Sequence, residues 1–144
     1  MQIHIGEIKR VGQKDEKGCG IACVAMVTGK TYPQAKKFFL ERVFLPTDRK
    51  LHTRHYQLRR ALRMLRVATE KRAFRNWRSI VSLSIVPINR MQDSGWHWVV
   101  FVPNHTRPYI LDPALGKGRR RYDFRGMKAR GLYIAVLKSK SPKA

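Results

Sequence analysis

Acidic residues are scarce in this sequence. Nine Asp and Glu stand against 31 Lys and Arg over 144 residues, so the formal net charge is +22. A surplus of this size attracts anions over long distances, and it opposes tight self-association without an acidic partner. We therefore expect a nucleic acid or another polyanion among the possible partners.

Cysteines and long apolar segments are also few. Two cysteines do not make a disulfide framework, and a spacing of four residues in a helix seldom allows a disulfide, which indicates a reducing compartment. The longest apolar stretch, IACVAMV at residues 21–27, is too short to span a bilayer. The N-terminal MQIHIGEIKR lacks the apolar core of a secretory signal. These absences predict a cytoplasmic protein without a membrane span.

Hydrophobic residues make up 43% of the chain. This share is that of an ordinary globular protein, so the chain does not belong to the class of disordered proteins that have too few hydrophobic residues to fold. The length fits one domain, residues 1–144, in which residues 139–144 form a frayed tail. IHIGEIKRV near the N-terminus alternates like a short strand. Helices are predicted over IACVAMVT, over TYPQAKKFFLERVF with Thr31 as N-cap, and over HTRHYQLRRALRMLRVAT, which has an apolar stripe and an arginine face.

The second half of the chain has a different pattern. SIVSLSIVPINR, WHWVVFVPN, RPYILDPALG and GLYIAVLKS are short runs rich in β-branched and aromatic residues, bounded by Gly, Pro and Asn, and they are typical of strands. Helices followed by a series of strands predict an α+β fold, with an N-terminal helical lobe packed on a C-terminal antiparallel sheet.

Cys19 lies between Gly18 and Gly20, at the start of the first predicted helix. The positive end of a helix dipole favours a thiolate at such a position, and the glycines are predicted to let the backbone approach a substrate. Cys23 lies one turn deeper among apolar residues and is predicted to be a core thiol. Cys19 is therefore the candidate nucleophile.

A thiol nucleophile needs a base, and the base needs a group that orients it. His97 begins one predicted strand and Asp112 ends the next, so a hairpin would bring the two side chains within hydrogen-bond reach. A carboxylate there holds the imidazole in the tautomer that accepts the thiol proton. The backbone N–H of Cys19 and the side-chain amide of Gln13 are the candidate donors to an oxyanion.

Three segments resemble those of the bacteriocin-processing, double-glycine leader peptidases, a family of papain-like cysteine peptidases. They are QKDEKGCG with IACVAMV, HWVVFV and ILDPALG, in the same order and at similar spacing, and the resemblance covers about residues 11–137. It implies a papain-like fold with Cys19 as nucleophile, His97 as base, Asp112 as the orienting group and Gln13 as oxyanion donor. It also implies a cysteine hydrolase that cleaves a peptide or amide bond through a thioester, without a cofactor. The family often has an acidic residue directly before the cysteine, where this chain has Gly18.

Two other functions stay open. The same thiol and base can carry out glutamine deamidation or acyl transfer, because these reactions also pass through a thioester. A catalytically degenerate peptidase-like fold can instead serve as a nucleic-acid-binding module. Basic runs interleaved with aromatic residues favour that alternative, because they combine phosphate contacts with surfaces for base stacking. The aromatic residues in question are Tyr56, Phe74, Trp77, Tyr122 and Phe124.

Arg119, Arg120 and Arg121 follow soon after Asp112 in the sequence. We expect these arginines near the active-site cleft, where they would bind an anion or select an acidic peptide or protein substrate.

The remaining histidines and tryptophans are predicted to have structural roles. His52 and His55 are three residues apart, but no cysteine or carboxylate close by completes a metal site, so they are predicted to belong to a solvated basic segment. No metal is expected. Trp96 and Trp98 flank His97, and strand alternation predicts that both pack in the core on the opposite face from His97.

Overall fold

The computed structural model describes residues 8–46, 51–89, 95–104, 106–114, 116, 118 and 120–137. Helices occupy the first half of this part and strands the second, which confirms the predicted α+β arrangement. The helices are α1 (Cys19–Thr28), α2 (Tyr32–Phe38), which continues into a π-helical turn (Phe39–Val43), and α3 (His55–Met64). The strands are β1 (Thr69–Ala73), β2 (Ser84–Ile88), β3 (His97–Val102), β4 (Tyr109–Leu111) and β5 (Leu132–Val136), with a 3₁₀ turn (Trp77–Ser79) between β1 and β2.

α1 lies in the centre of the protein. Its first nine residues, 19–27, are all buried, as expected for a helix that is apolar on every side. It packs against β3, α2 and α3. It ends at Gly29, which adopts a left-handed conformation with a φ of 73° and donates its N–H to the carbonyl of Ala25. α1 begins two residues before the predicted start, so Cys19 is its first residue.

α2 begins with the predicted N-cap. The Thr31 hydroxyl accepts a hydrogen bond from the N–H of Gln34 at 3.2 Å, and the Gln34 side chain accepts one from the N–H of Thr31 at 2.9 Å. This reciprocal pair is a capping box, which satisfies two backbone donors that a helix start leaves open. The predicted helix boundary at Thr31 is thus confirmed.

The strands form one sheet in the order β1-β5-β2-β3-β4, with every neighbouring pair antiparallel. The four predicted strands correspond to β2, β3, β4 and β5. β1 was not predicted, because its sequence TEKRA is mostly charged; only its first residue, Thr69, falls within the predicted third helix. That helix, α3, ends earlier, at Met64.

The sheet separates two apolar clusters, since side chains alternate between its faces. Cys19, Trp98 and Val100 belong to the larger cluster, which faces the helices. Val99 and Phe101 belong to the second cluster, on the opposite face.

Two predictions concern the ends of the chain. The prediction of a strand over IHIGEIKRV is wrong for the part of this segment that the structure describes, because residues 8–12 have no regular secondary structure. Residues 1–7 and the predicted frayed tail lie outside the described residues. None of the helices in the described ranges is long and apolar enough to cross a membrane.

Candidate active site

Cys19 begins α1 at the point where this helix contacts the start of β3. The thiol is buried, with 6% of the residue exposed, and its Sγ atom accepts a hydrogen bond from the backbone N–H of Trp98 at 3.5 Å. His97 immediately precedes that donor. The packing of α1 on β3 therefore brings the thiol next to the histidine.

His97 and Asp112 form the shortest side-chain contact of the site. Nε2 of His97 lies 2.6 Å from Oδ1 of Asp112, which also accepts the backbone N–H of Ala114 at 2.9 Å. The last residue pair of β3 and β4 is Val100 with Leu111, so Asp112 lies just beyond the ladder and reaches His97 diagonally. Because Nε2 is bound to the carboxylate, Nδ1 is the ring nitrogen left for the Cys19 thiol, which lies near enough to the imidazole to raise its pKa.

The environment of the pair favours charge on both partners. Burial by itself would lower the pKa of His97, but the hydrogen bonds to Asp112 and Cys19 outweigh burial and raise this pKa to about 9. Burial by itself would raise the pKa of Asp112, and the hydrogen bonds from His97 and Ala114 instead bring it below its usual value, with help from the charge of Arg121. At neutral pH an imidazolium therefore faces the sulfur.

Cys23 is completely buried in the core, as predicted. Burial raises the pKa of the Cys23 thiol well above its usual value, and the nearby charges of Cys19 and Asp112 act in the same direction. Cys23 is therefore a packing residue, and Cys19 is the thiol that meets the histidine.

Gln13 is buried beside the turn that leads into α1. Its backbone N–H donates to the carbonyl of Pro113 at 2.8 Å, which joins this turn to the segment after Asp112. Its side-chain nitrogen donates to the carbonyls of Asp15 and Glu16 at 3.0 and 2.9 Å, so both of its hydrogens are used within the turn. The side-chain oxygen is buried without a hydrogen-bond partner among the described residues.

Arg10 is a site residue that the sequence analysis missed. Its Nε and Nη2 atoms donate to the carbonyls of Asp112 and Ala114, both at 2.7 Å, so the guanidinium holds the backbone on either side of Pro113. These partners lie more than a hundred residues further along the chain. No local sequence pattern indicates a contact over that separation.

The glycines beside Cys19 serve the packing of the protein, which corrects the prediction that they leave room for a substrate. A Cβ atom at Gly18 would collide with the hydroxyl of Tyr32, and one at Gly20 with the side chain of Thr53. The Tyr32 hydroxyl donates to Oδ2 of Asp15 at 2.8 Å. The first turn of α1 is thus closed by protein atoms on both sides of the thiol.

The three arginines predicted near the cleft have different positions. Arg119 lies outside the described residues. The guanidinium of Arg120 lies over the ring of Tyr109, 4.3 Å from its centre. The backbone of Arg121 pairs with Ile110 at the edge of β4, and Arg121 is the member of the run whose charge lowers the pKa of Asp112.

A pocket of about 240 Å³ opens beside His97. Trp96, which precedes His97, lines it, and so does Ile88, the cross-strand partner of His97. Two exposed cations, Lys128 and Arg130, form part of its wall. The remaining lining residues are His55, Pro87, Gly131 and Leu132. The pocket thus combines an apolar surface with positive charge.

The aromatic residues around this pocket correct two predictions. Trp98 is fully buried as predicted, but Trp96 is only partly buried and lines the pocket. His55 is partly buried and contacts other parts of the fold: its Nε2 lies 2.7 Å from the carbonyl oxygen of Leu132, its ring centre lies 4.9 Å from that of Trp98, and burial lowers its pKa. Among the described residues, no group of three or more His, Cys, Asp or Glu is arranged to hold a metal ion.

Comparison with known proteins gives a similarity to solved structures. No protein-family model matches the sequence, and no curated protein matches it either. Among solved structures, the chain is similar to the crystal structure of a double-glycine motif protease from an AMS/PCAT transporter in complex with the leader peptide. The TM-score is 0.64 and the sequence identity 16%, over 96% of this chain and 99% of that one. The fold is therefore that of a papain-like peptidase domain, as the three motifs predicted.

Proposed function

We propose that this protein is a cysteine peptidase that cleaves its substrate through a thioester on Cys19. The observation that carries the proposal is the 2.6 Å contact between His97 and Asp112, with the Cys19 sulfur held next to His97 by the backbone N–H of Trp98. A buried thiol, a base and an orienting carboxylate are the parts that nucleophilic catalysis by cysteine needs. Their position on a papain-like fold supports the proposal further.

In the proposed reaction the Cys19 sulfur attacks the carbonyl carbon of the scissile amide, and the carbonyl oxygen becomes an oxyanion. The imidazolium of His97 gives its Nδ1 proton to the leaving nitrogen, so the amine departs and a thioester remains. His97 then takes a proton from water, whose oxygen attacks the thioester carbon and displaces the Cys19 thiolate, so that the carboxylic acid leaves and the thiolate again faces an imidazolium. Asp112 keeps Nε2 occupied throughout, so that Nδ1 faces the reacting atoms.

The oxyanion requires hydrogen-bond donors. The backbone N–H of Cys19 is one candidate, because the first N–H groups of a helix have no partner within the helix. We propose Gln13 as the second donor. Both hydrogens of its side chain bind carbonyls of the turn, so donation to an oxyanion requires that one of these two bonds be exchanged.

We propose a peptide as the substrate, with an acidic or large side chain near the scissile bond. The structural neighbour is in complex with a leader peptide, which supports the peptide class. The pocket beside His97 supports the side-chain preference, because its apolar wall accepts a sizeable group and Lys128 and Arg130 attract a carboxylate.

The test is a peptide mixture incubated with the wild-type protein and with Cys19→Ala, read by mass spectrometry. Hydrolysis adds one water across two new fragments and must disappear in Cys19→Ala. Exchange of a glutamine side-chain amide for a carboxylate, with release of ammonia, would replace the proposal by deamidation. Products in which an added amine takes the acyl group would replace it by acyl transfer. Cleavage that survives in Cys19→Ala would overturn the mechanism.

A further inference from the structure

The face of the sheet that points away from α1 carries an open groove. The cluster that contains Val99 and Phe101 is covered there by the 3₁₀ turn Trp77–Ser79 and by the segment around Phe124. Trp77 stacks on Phe101 with ring centres 5.6 Å apart, and its ring centre lies 5.2 Å from that of Phe124. The groove has a volume of about 400 Å³ and is lined by Asn76, Trp77, Arg78, Pro108 and Phe124. We call it the aromatic groove.

Three described segments frame the aromatic groove, residues 74–80, 106–108 and 120–129. They contain seven Lys and Arg and a single acidic residue, Asp123. Asp123 is bound by Arg125, with 2.8 Å between Nη2 and Oδ2. The seven cations, all exposed except the partly buried Arg121, are Arg75, Arg78, Arg107, Arg120, Arg121, Arg125 and Lys128. Seven cations and one carboxylate give these segments a net charge of +6, although Arg120 lies over Tyr109 on the α1 side of the sheet and Lys128 lines the pocket beside His97.

A cation lies next to an aromatic ring in this groove, because Arg78 follows Trp77 directly and lines the groove with it. Arg107 precedes the groove residue Pro108, but its guanidinium lies over the ring of Tyr122, which packs against Tyr109 on the α1 side of the sheet. Phosphate groups bind guanidinium groups, and flat bases stack on aromatic faces, so the two kinds of surface occur together at single-stranded nucleic-acid sites.

We propose that the aromatic groove binds single-stranded nucleic acid, with a base stacked against Trp77 and Phe124 and with Arg78 on a flanking phosphate. A single strand fits this surface better than a duplex, because its bases are free to leave their own stack. The groove and Cys19 lie on opposite faces of the sheet. Binding is therefore independent of the thiol and goes beyond the proposed peptidase activity.

The test uses the full chain and fluorescence anisotropy with a labelled oligothymidylate, an abasic strand of equal length and a duplex. The oligothymidylate is expected to bind at least about tenfold more tightly than the abasic strand, because the abasic strand keeps the phosphates but lacks the stacking surface. Arg78→Glu is expected to weaken binding about tenfold, and the same change at the exposed Arg60 on α3 less than about threefold. Cys19→Ala should bind like the wild type.

Equal affinity for the thymidylate and abasic strands would overturn the proposal, since binding would then rest on charge alone. An equal loss of affinity in Arg60→Glu and Arg78→Glu would show that the strand does not bind at the aromatic groove. Tighter binding of the duplex, or of an acidic peptide of equal charge, would assign the surface to that other partner. The comparison of strands uses the unaltered protein, so it decides the stacking claim whether or not a variant folds.

Discussion

The hydroxyl of Tyr32 occupies the space in which a side chain at Gly18 would begin. Tyr32 is held there by its hydrogen bond to Asp15, which also pairs with Lys36 at 3.0 Å. The residue before Cys19 is thus constrained by α2. This contact explains why the chain has glycine at a position where the peptidases it resembles often have an acidic residue.

We expect Gly18→Ala to lower the free energy of unfolding by about 1–3 kcal/mol, because the new methyl group overpacks a buried contact. Tyr32→Phe removes the colliding oxygen, so the same glycine change should cost less in that background. Denaturant unfolding of the wild type, the two single variants and the double variant measures the coupling between the two positions. Gly118→Ala is the matched control, since nothing lies within 4 Å of its added Cβ. An equal cost of Gly18→Ala in both backgrounds would contradict the packing explanation.

The two thiols should differ in reactivity. Iodoacetamide is expected to modify Cys19 in the folded protein and to leave Cys23 intact, because Cys23 is fully buried and burial raises its pKa. His97→Ala should slow the reaction of Cys19 at neutral pH at least about tenfold, since the imidazolium beside the sulfur is lost. Intact-mass measurements over time give both rates, and Cys23→Ala is the control. Modification of Cys23 at a rate similar to that of Cys19 would argue against this site.

The contact between His97 and Asp112 predicts a pH-dependent stability. The pKa of His97 is raised from 6.5 to about 9 in the folded protein. Its contribution to the free energy of unfolding is therefore fully present below about pH 6.5 and is lost as the pH rises through about 9. The expected loss is on the order of 3 kcal/mol.

The measurement is the difference in unfolding free energy between the wild type and His97→Gln across this window. Taking a difference cancels the other groups that titrate between the same pH values. A constant difference from pH 6.5 to 9 would show that the imidazole does not gain its proton on folding.

Arg10 is expected to act as a positioning residue for Asp112. Arg10→Lys keeps the charge but cannot bind both carbonyls with one planar group, so the Asp112 carboxylate should be held less firmly against His97. We expect kcat to fall more than KM changes, and the pKa of His97, followed by NMR, to decrease. Arg42→Lys on the exposed surface is the control. An unchanged His97 titration in Arg10→Lys would leave Arg10 with a purely structural role.

The pocket beside His97 predicts a charge preference. Replacing Lys128 and Arg130 by Glu should reduce cleavage of peptides with an acidic residue near the scissile bond about tenfold or more relative to neutral peptides. The matched control is Arg63→Glu with Arg60→Glu on α3, which changes the net charge equally. If both pairs of variants reduce cleavage of acidic peptides equally, the preference comes from the whole protein and not from this pocket.

The sequence predicted those elements whose local pattern agrees with their final environment. α1 is apolar throughout, and β3 is itself rich in β-branched residues. For each element the local sequence therefore indicates the structure that its buried position requires. β1 could not be predicted, because TEKRA forms a strand only through its pairing with β5 at the sheet edge. For the same reason the contacts of Arg10 and of the glycines beside Cys19 depend on residues distant in sequence, and only the folded chain reveals them.

The position of β5 has a consequence for biosynthesis. Among the described strands β5 is the last to leave the ribosome, yet it lies between β1 and β2. Until Val136 has emerged, β1 has no neighbour in the sheet, and β2 lacks one of its two partners. Long-range pairings of this kind form late in folding. The sheet that carries the proposed site on β3 and β4 is therefore completed only after β5 has been synthesised.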